Sequence, residues 1–576
     1  MLKNLELFND KLFSVVINNN KKNFYIVVIL SILGSFLDML SISIFVPLIA
    51  FITDSEFNNF FIFDYINNFL NKNLDPKLQV KIILKIIFSV FAIKLIYLMF
   101  VLYYRENFLR NLNYKLSNKY LKNLLRYPYS FFSNTNSSDL IRNSHGEISV
   151  IVSGIVLPVV NIITEFALLL FLLVFLLNID FKNTLVVFIF FLIFSSIYFT
   201  ITKNYLYKWG LKRFNLSSSK IKKLQEIFGG IKEIKVFSLE NNSLEDFSKI
   251  NNKFLKYNFY GEFLTKLPRL VFESLTIFIL IYLIFTLLEN NNEFSKIISI
   301  LGVFALVAVR TLPSISSILV SLQNLKKSSP SLDNIVNELR EEKLKKPSEK
   351  IFQYDFNKSI KLNNIFFEYK NPKKVIFKNL NLEIANKSVT GIFGVSGSGK
   401  STLVDLVLGL IEPQKGEINV DQTNIKKNHE NWLSLIGYVP QSVFLLDETL
   451  KKNIILDEKG YDENKYLNVI AQTNLEELIK NKDHKDLFLG EKGVRVSGGQ
   501  IQRIGIARAL YKKSKILILD EATASLDEDN ERKILDSIIK NQTGITAIII
   551  SHKINILREY CQQIYELKDF GLKKIE

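Results

Sequence analysis

The sequence predicts an α-helical membrane domain of six transmembrane helices followed by an α/β domain. Three observations predict it. Six apolar runs long enough to cross a bilayer fall within residues 24–322, a polar stretch over 323–350 changes the composition, and a glycine-rich GxxxxGK[ST] loop then stands between a strand-like and a helix-like run. At 576 residues the chain exceeds what one hydrophobic core organises, so at least two domains are expected. Its 48% hydrophobic content, with 47 Phe, is too apolar for an ordinary soluble chain, while 22% charged residues is too polar for one wholly in lipid.

The first element is residues 1–23. Leu5, Phe8, Leu12, Phe13 and Val16 recur at helical spacing, which predicts an amphipathic helix lying along the membrane surface. Glu6 and Asp10 interrupt this stretch and its apolar run 12–17 is short, so a cleavable signal peptide is not expected. A hydrocarbon core about 30 Å thick needs roughly 20 helical residues. Runs of about that length occupy 24–52, 80–104, 151–177, 184–202, 270–288 and 297–322.

Loop charge sets their orientation. Residues 105–150 carry Arg105, Arg110, Lys115, Lys119, Lys122, Arg126 and Arg142 against three acidic residues, and 203–266 is similarly basic. Both long loops are therefore predicted to be cytoplasmic. They are amphipathic and nearly free of Pro, so they read as helical continuations that turn near 128–136 and 229–240. The outer segment 53–79 is net acidic and rich in Phe, which suits either a helix resting on the outer leaflet or a loop packed on the bundle.

The net charge of +17 is spread along the chain with no arginine-rich helix or aromatic-basic motif, so nucleic acid is not an expected partner. The lone cysteine, Cys561, excludes an internal disulfide framework and a Cys-ligated metal site, and reads as a packing residue.

After the linker at 323–350, β-branched runs alternate with helical stretches from 351 to 576, the pattern of an α/β domain. The loop Gly394-Val-Ser396-Gly397-Ser-Gly399-Lys400-Ser401 follows the run 389–393 and precedes the helical stretch from Thr402. Glycines there let backbone N–H groups close around phosphates, Lys400 reaches the outer phosphates, and Ser401 offers its hydroxyl to Mg²⁺. The apolar run 516–519 ends in Asp520 and Glu521, delivering two carboxylates to the strand end where ligands bind in open α/β sheets. Given the loop upstream, Asp520 is expected to hold Mg²⁺ and Glu521 to polarise an attacking water.

Between these motifs, Val496-Ser497-Gly-Gly499-Gln500 resembles the signature of ATP-binding cassette (ABC) proteins, with Val where Leu is usual. The resemblance covers the whole soluble half, and implies an α/β P-loop nucleotide-binding domain taking ATP and Mg²⁺. By the same resemblance Tyr369 stacks on adenine, Gln441 senses Mg²⁺ and the membrane domain, Asp527 lies in the loop Ser525-Leu-Asp527 that crosses the dimer interface, and His552 contacts the γ-phosphate. Gly490-Glu-Lys-Gly493 is similar to an exporter-specific segment. In the family a phosphate loop meets the signature of another cassette, so one of each in a chain implies a dimer, as a homodimer or with a degenerate partner. Six spans before one cassette resemble exporters.

Cargo is read from charges inside the spans, which are costly in lipid and face cavities or partners. These are Asp38, Lys85, Lys94, Glu165, Glu273 and Arg310. Lys85 and Glu273 lie near span ends, where snorkelling or pairing accounts for them. Arg310 is mid-span, three residues before Pro313, and suits an anionic phosphate or pyrophosphate unless Glu165 or Glu273 neutralises it. The stretches 131–143, 229–235 and 310–314 resemble the bacterial lipid-linked oligosaccharide flippases, implying a polyprenyl-pyrophosphate-linked saccharide as cargo at the bacterial inner membrane. Another lipid, or a peptide or protein, is the alternative cargo, and an ATP-gated channel the alternative class.

Overall fold

The structure, a computed structural model, describes residues 16–45, 48, 76–289, 294–339, 353–370, 372–457, 460–479, 487–523, 527–540 and 544–575. Most of the expected surface helix in 1–23, most of the outer segment 53–79, residues 340–350 of the expected linker 323–350, and Ser525 and Leu526 lie outside the described residues, while 323–339 of that linker belong to the helix Phe294–Leu339. The chain divides into two compact units, the first holding Met1–Tyr127 and Phe131–Leu344 and the second Pro128–Ser130 and Lys345–Glu576.

The first unit is helical. Six helices are long and apolar enough to cross a membrane: α1 (Lys21–Ser43), α2 (Pro76–Leu125), α3 (Ser137–Leu177), α4 (Phe181–Gly229), α5 (Glu240–Glu289) and α6 (Phe294–Leu339). The basic stretches are continuations of these helices, so α2 runs on to Leu125 and α4 to Gly229. Short helices at Tyr129–Asn134 and Ile231–Val236 make the turns. Helix α6 packs on α3, α4 and α5, while α1 packs on α2 and α3.

Two local features let these helices run long and close. Pro268 lies inside α5 and frees the carbonyl of Leu264, which instead accepts the Tyr198 hydroxyl at 3.0 Å and Gln323 Nε2 at 3.4 Å. Supplying a partner from neighbouring helices is how a span tolerates proline. At Gly210 of α4 a Cβ would lie 2.1 Å from the Lys327 carbonyl oxygen, so the α4–α6 approach requires glycine. One deeply buried carboxylate is paired: Glu147 accepts from Arg213 Nη2 at 2.8 Å and from the Ser331 hydroxyl at 2.5 Å.

The second unit holds two sheets. Strands β1 (Ser359–Lys370), β2 (Lys373–Ala385), β4 (Lys415–Val420) and β5 (Thr423–Asn424) form an antiparallel sheet in the order β2-β1-β4-β5. The other sheet, β10-β9-β3-β8-β7-β6, uses β3 (Val389–Phe393), β6 (Ile436–Val439), β7 (Ile516–Asp520), β8 (Thr546–Ser551), β9 (Gln563–Lys568) and β10 (Gly571–Lys574). Its pairs β9-β3, β3-β8, β8-β7 and β7-β6 are parallel, which explains the near-continuous apolar runs of β7 and β8: both faces are covered.

Side chains alternate across β7 with a period of two. Ile516 and Ile518 join Leu403, Val404 and Val407 of α7 (Lys400–Val407) in one core, and Leu517 and Leu519 join Ile504 and Ala507 of α8 (Gly498–Tyr511) in another. The helix after the phosphate loop and the helix after the signature therefore lie on opposite faces of the sheet. Cys561 packs against Gly391, where a Cβ would meet its Sγ at 2.9 Å, and burial pushes its thiol up to about 12, leaving it unreactive.

Candidate functional site

Parallel pairing brings four strand ends to one edge of the sheet. Phe393 is in register with Ser551, Asp520 with Ile550 and Val439 with Leu519, so the residues just after β3, β8, β7 and β6 are neighbours. These are the glycine loop, His552, Glu521 and Gln441.

The loop is shaped by glycine. Gly397 and Gly399 take φ of +79° and +106°, a region that L side chains avoid. A Cβ on Gly399 would also lie 2.7 Å from Ile376 Cγ2. Gly394 is buried, whereas Ser396 and Gly397 are exposed on the loop. Gly399 caps α7, so the chain enters its first turn with Lys400 buried and Ser401 exposed. Lys400 Nζ donates to the Gly394 carbonyl at 2.8 Å and the Val395 carbonyl at 3.3 Å, and pairs with Glu521 Oε1 at 3.2 Å. Tyr369 lies beside the loop, its hydroxyl 3.2 Å from Thr402 Oγ1 while the residue stays 41% exposed.

Glu521 has φ +48°, held by its N–H to the Ile550 carbonyl at 3.0 Å. A non-glycine residue in this region stores strain, as functional turns often do. Its other carboxylate oxygen, Oε2, accepts from Gln441 Nε2 at 2.8 Å. Lys400, Glu521 and Gln441 thus form one polar chain. Among the described residues no hydrogen bond ties His552 to it; His552 stands exposed beyond β8.

Asp520 is buried, and its carboxyl is raised to about 6 by burial first, then by Glu521 and Asp405, against the lowering effect of Lys400. Asp405 is itself raised by burial. Sequence reasoning missed Asp405, whose signal was an acidic residue five positions after the loop lysine. Glu521 and Asp405 thus add like charge to a buried carboxyl, a repulsion that a bound cation would relieve, while among the described residues no three Asp, Glu, His or Cys side chains are placed together to hold a metal ion. Ser401, Gln441 and Asp520 are the residues that would hold Mg²⁺.

The signature builds the start of α8. The Ser497 hydroxyl accepts from the Gln500 N–H at 3.3 Å and Gln500 Oε1 accepts from the Ser497 N–H at 2.8 Å, a capping box that leaves Ser497 exposed and Gly499 half-buried. Asp527 caps the helix Glu528–Leu535, accepting from the Asn530 side chain at 2.7 Å and backbone at 3.2 Å, and these bonds lower its carboxyl.

In the membrane unit Arg310 finds its anion in Asp38, not in Glu165 or Glu273. Arg310 Nη2 and Nε lie 2.5 and 3.1 Å from Asp38 Oδ2, and Lys94 Nζ lies 2.8 Å from Oδ1. Lys94 also donates to the Ser41 hydroxyl at 2.8 Å. Glu273 pairs with Arg269 at 2.9 Å, and Glu165 keeps a buried oxygen with no hydrogen-bond partner. Position along the chain could not foresee Asp38, which is 272 residues from Arg310. Two cations against one carboxylate leave this cluster with a net positive charge.

Six long helices joined to a sheet domain with a phosphate loop, an acidic strand end and a capped glycine signature define a membrane domain coupled to a nucleotide-binding cassette. Residues 24–311 match the ABC transporter transmembrane region and residues 377–524 the ABC transporter domain. The chain belongs to the ABC transporter family. It is 32% identical over 343 residues to a protein of Rickettsia typhi named for export ATP-binding and permease roles, a match spanning 58% of each chain. The chain thus spans a little over half the length of that relative. The heterocyst differentiation ATP-binding protein HepA of Nostoc is 29% identical over 463 residues, covering 79% of this chain and 74% of HepA. Among solved structures, a bacterial Atm1-family ABC exporter with ATP bound shares the fold, with TM-score 0.80, 18% identity, and coverage of 96% of this chain and 95% of that one.

Proposed function

We propose that this chain is an ATP-hydrolysing exporter half that works as a dimer and carries a polyprenyl-pyrophosphate-linked oligosaccharide across the bacterial inner membrane. The observation that carries the ATPase reading is the convergence of Lys400, Glu521 and Gln441 beside Asp520 at one sheet edge. Mg²⁺, when bound, neutralises charge on the phosphate oxygens. Lys400 holds the outer phosphates, and Glu521 takes up the attacking water as it leaves its contacts with Lys400 and Gln441. Tyr369 offers its ring to the base, and His552 reaches in from the neighbouring strand end.

The dimer reading rests on the opposed faces. Ser497, Gly499 and Gln500 begin a helix packed on one side of the sheet, while the phosphate loop leads into a helix on the other. A signature so placed serves another cassette's nucleotide, and the resemblance of its loop supports a role for Asp527 at the meeting of the two cassettes. A homodimer then has two competent sites.

The cargo reading rests on the Asp38, Lys94 and Arg310 cluster, whose surplus positive charge within the spans attracts an anionic headgroup. It is tested by reconstituting the chain in liposomes and screening which lipid or glycolipid stimulates ATP hydrolysis. Stimulation and transport with a polyprenyl-pyrophosphate-linked saccharide, lost in Arg310→Ala while basal hydrolysis persists, is the expected result. Unchanged glycolipid transport by a folded Arg310→Ala protein rejects the headgroup role.

A further inference from the structure

Helices α3 to α6 enclose a cavity of about 380 Å³. Its inner wall includes Leu172, Leu283, Val307 and Leu319, all at most 2% exposed, while Phe166 and Leu192 at its rim are more than half exposed. The cavity therefore opens from the helix interior onto the surface of the spans. Along α6 its lining extends from Phe304 to Leu322, roughly 27 Å at 1.5 Å per residue, close to the thickness of a hydrocarbon core. The cavity is therefore a slot that runs along the spans.

The lining has no Asp, Glu, Lys or Arg. Four of its five hydroxyl side chains are also spoken for, and the fifth, Ser196, is exposed. Thr184 donates to the Leu176 carbonyl at 3.1 Å, Ser195 to Phe191 at 2.6 Å, Thr276 to Phe272 at 2.8 Å and Thr311 to Ala308 at 3.4 Å. The slot thus presents mostly hydrocarbon along its length, with four of its five hydroxyl protons turned away into backbone. Water gains few partners in such a space, and an empty apolar void destabilises in proportion to its volume.

We infer that this slot is a binding site for one hydrocarbon chain of a membrane phospholipid, inserted through the rim at Phe166 and Leu192. The occupant follows from three features: length matched to the bilayer, a lining without charged side chains in which four of five hydroxyls are bonded to backbone, and a rim of exposed apolar side chains. The cluster at Asp38 faces α1 and α2 from α6, so headgroup recognition and this chain site use different surroundings of the same helix. The inference does not depend on which cargo is moved.

The test reconstitutes the full chain in vesicles of palmitoyl-oleoyl phosphatidylethanolamine and phosphatidylglycerol containing a trace of phosphatidylcholine spin-labelled near one chain end. A slowly exchanging, motionally restricted lipid population is expected with the unmodified chain, and its loss in Ala308→Phe and in Ser196→Phe, which fill the slot from two helices. An unchanged thermal unfolding midpoint of the membrane unit in each variant reports folding. A restricted population unchanged in folded variants overturns the assignment. A second measurement needs only a small change: Ser196→Cys, spin-labelled while the buried Cys561 stays unreacted, should be relaxed by oxygen and not by a water-soluble nickel chelate. Relaxation by the chelate means a water-filled space, and cross-linking of Ser196→Cys to a second copy means a protein occupant; either result rejects the lipid site.

Discussion

Asp38→Asn should damage the membrane unit more than loss of either cation it binds. The substitution keeps the side-chain shape and removes one charge. In the intact cluster one carboxylate, 7% exposed, holds Lys94 at 2.8 Å and Arg310 at 2.5 Å; after Asp38→Asn two cations remain with no anion. Leaving a buried charge unpaired costs about 3–5 kcal/mol. The Arg310 side chain is 35% exposed, so solvent screens part of that penalty and about 2–4 kcal/mol is expected. Arg310→Ala instead leaves a neutral Asp38–Lys94 pair, still bonded to Ser41, and should cost about 1 kcal/mol, within the usual range for a partly exposed site. The assay is reversible unfolding in mixed detergent micelles, followed by the fluorescence of Trp209 in α4, with basal ATPase measured in parallel. The double variant, with only Lys94 left, should recover part of the Asp38→Asn loss, a coupling that a mutant cycle resolves. If Arg310→Ala destabilises as much as Asp38→Asn, the charge count is wrong and Arg310 is a structural cation, not a free attractor for cargo.

Three further predictions concern the cassette. Glu521→Gln should keep ATP binding and lower turnover by about 10²–10⁴-fold if Glu521 positions the water; near-normal hydrolysis would remove it from the mechanism. Mixing Lys400→Ala chains with Ser497→Arg chains should restore some hydrolysis, because a mixed dimer has one undamaged composite site, and cross-linked mixed dimers as inactive as the parents argue against shared sites. The raised carboxyl of Asp520 gives a pH signature. A group raised in the folded state stabilises it fully below the unfolded value near 3.8, and that contribution is lost as pH rises through about 6. Mg²⁺ needs the deprotonated form, so the thermal stabilisation by Mg²⁺-nucleotide should be smaller at pH 5 than at pH 7.5, and Asp520→Asn should flatten the difference. An unchanged pH profile in Asp520→Asn assigns the effect elsewhere.

Much of this protein is legible from the chain alone because its signals are local. Six apolar runs specify helices whatever surrounds them, since backbone groups in lipid must bond within their own segment. The phosphate loop is equally local: Gly397 and Gly399 meet a backbone requirement, and Lys400 and Ser401 follow at fixed spacing. The acidic end of β7 and the Ser497–Gln500 capping box are readable for the same reason. Tertiary structure alone decided the partnerships. The joining of Glu521 to both Lys400 and Gln441 depends on β8 lying between β3 and β7, with β6 beyond β7, a strand order that no run of residues encodes locally. Asp405 acquires its influence on Asp520 only when α7 packs on that sheet. Arg310 looked solitary in its span because its carboxylate comes from α1, near the other end of the membrane domain's sequence. Pairing of distant charges is set by which helices pack together, and that choice belongs to the whole bundle's burial and shape, not to the pattern of any one helix.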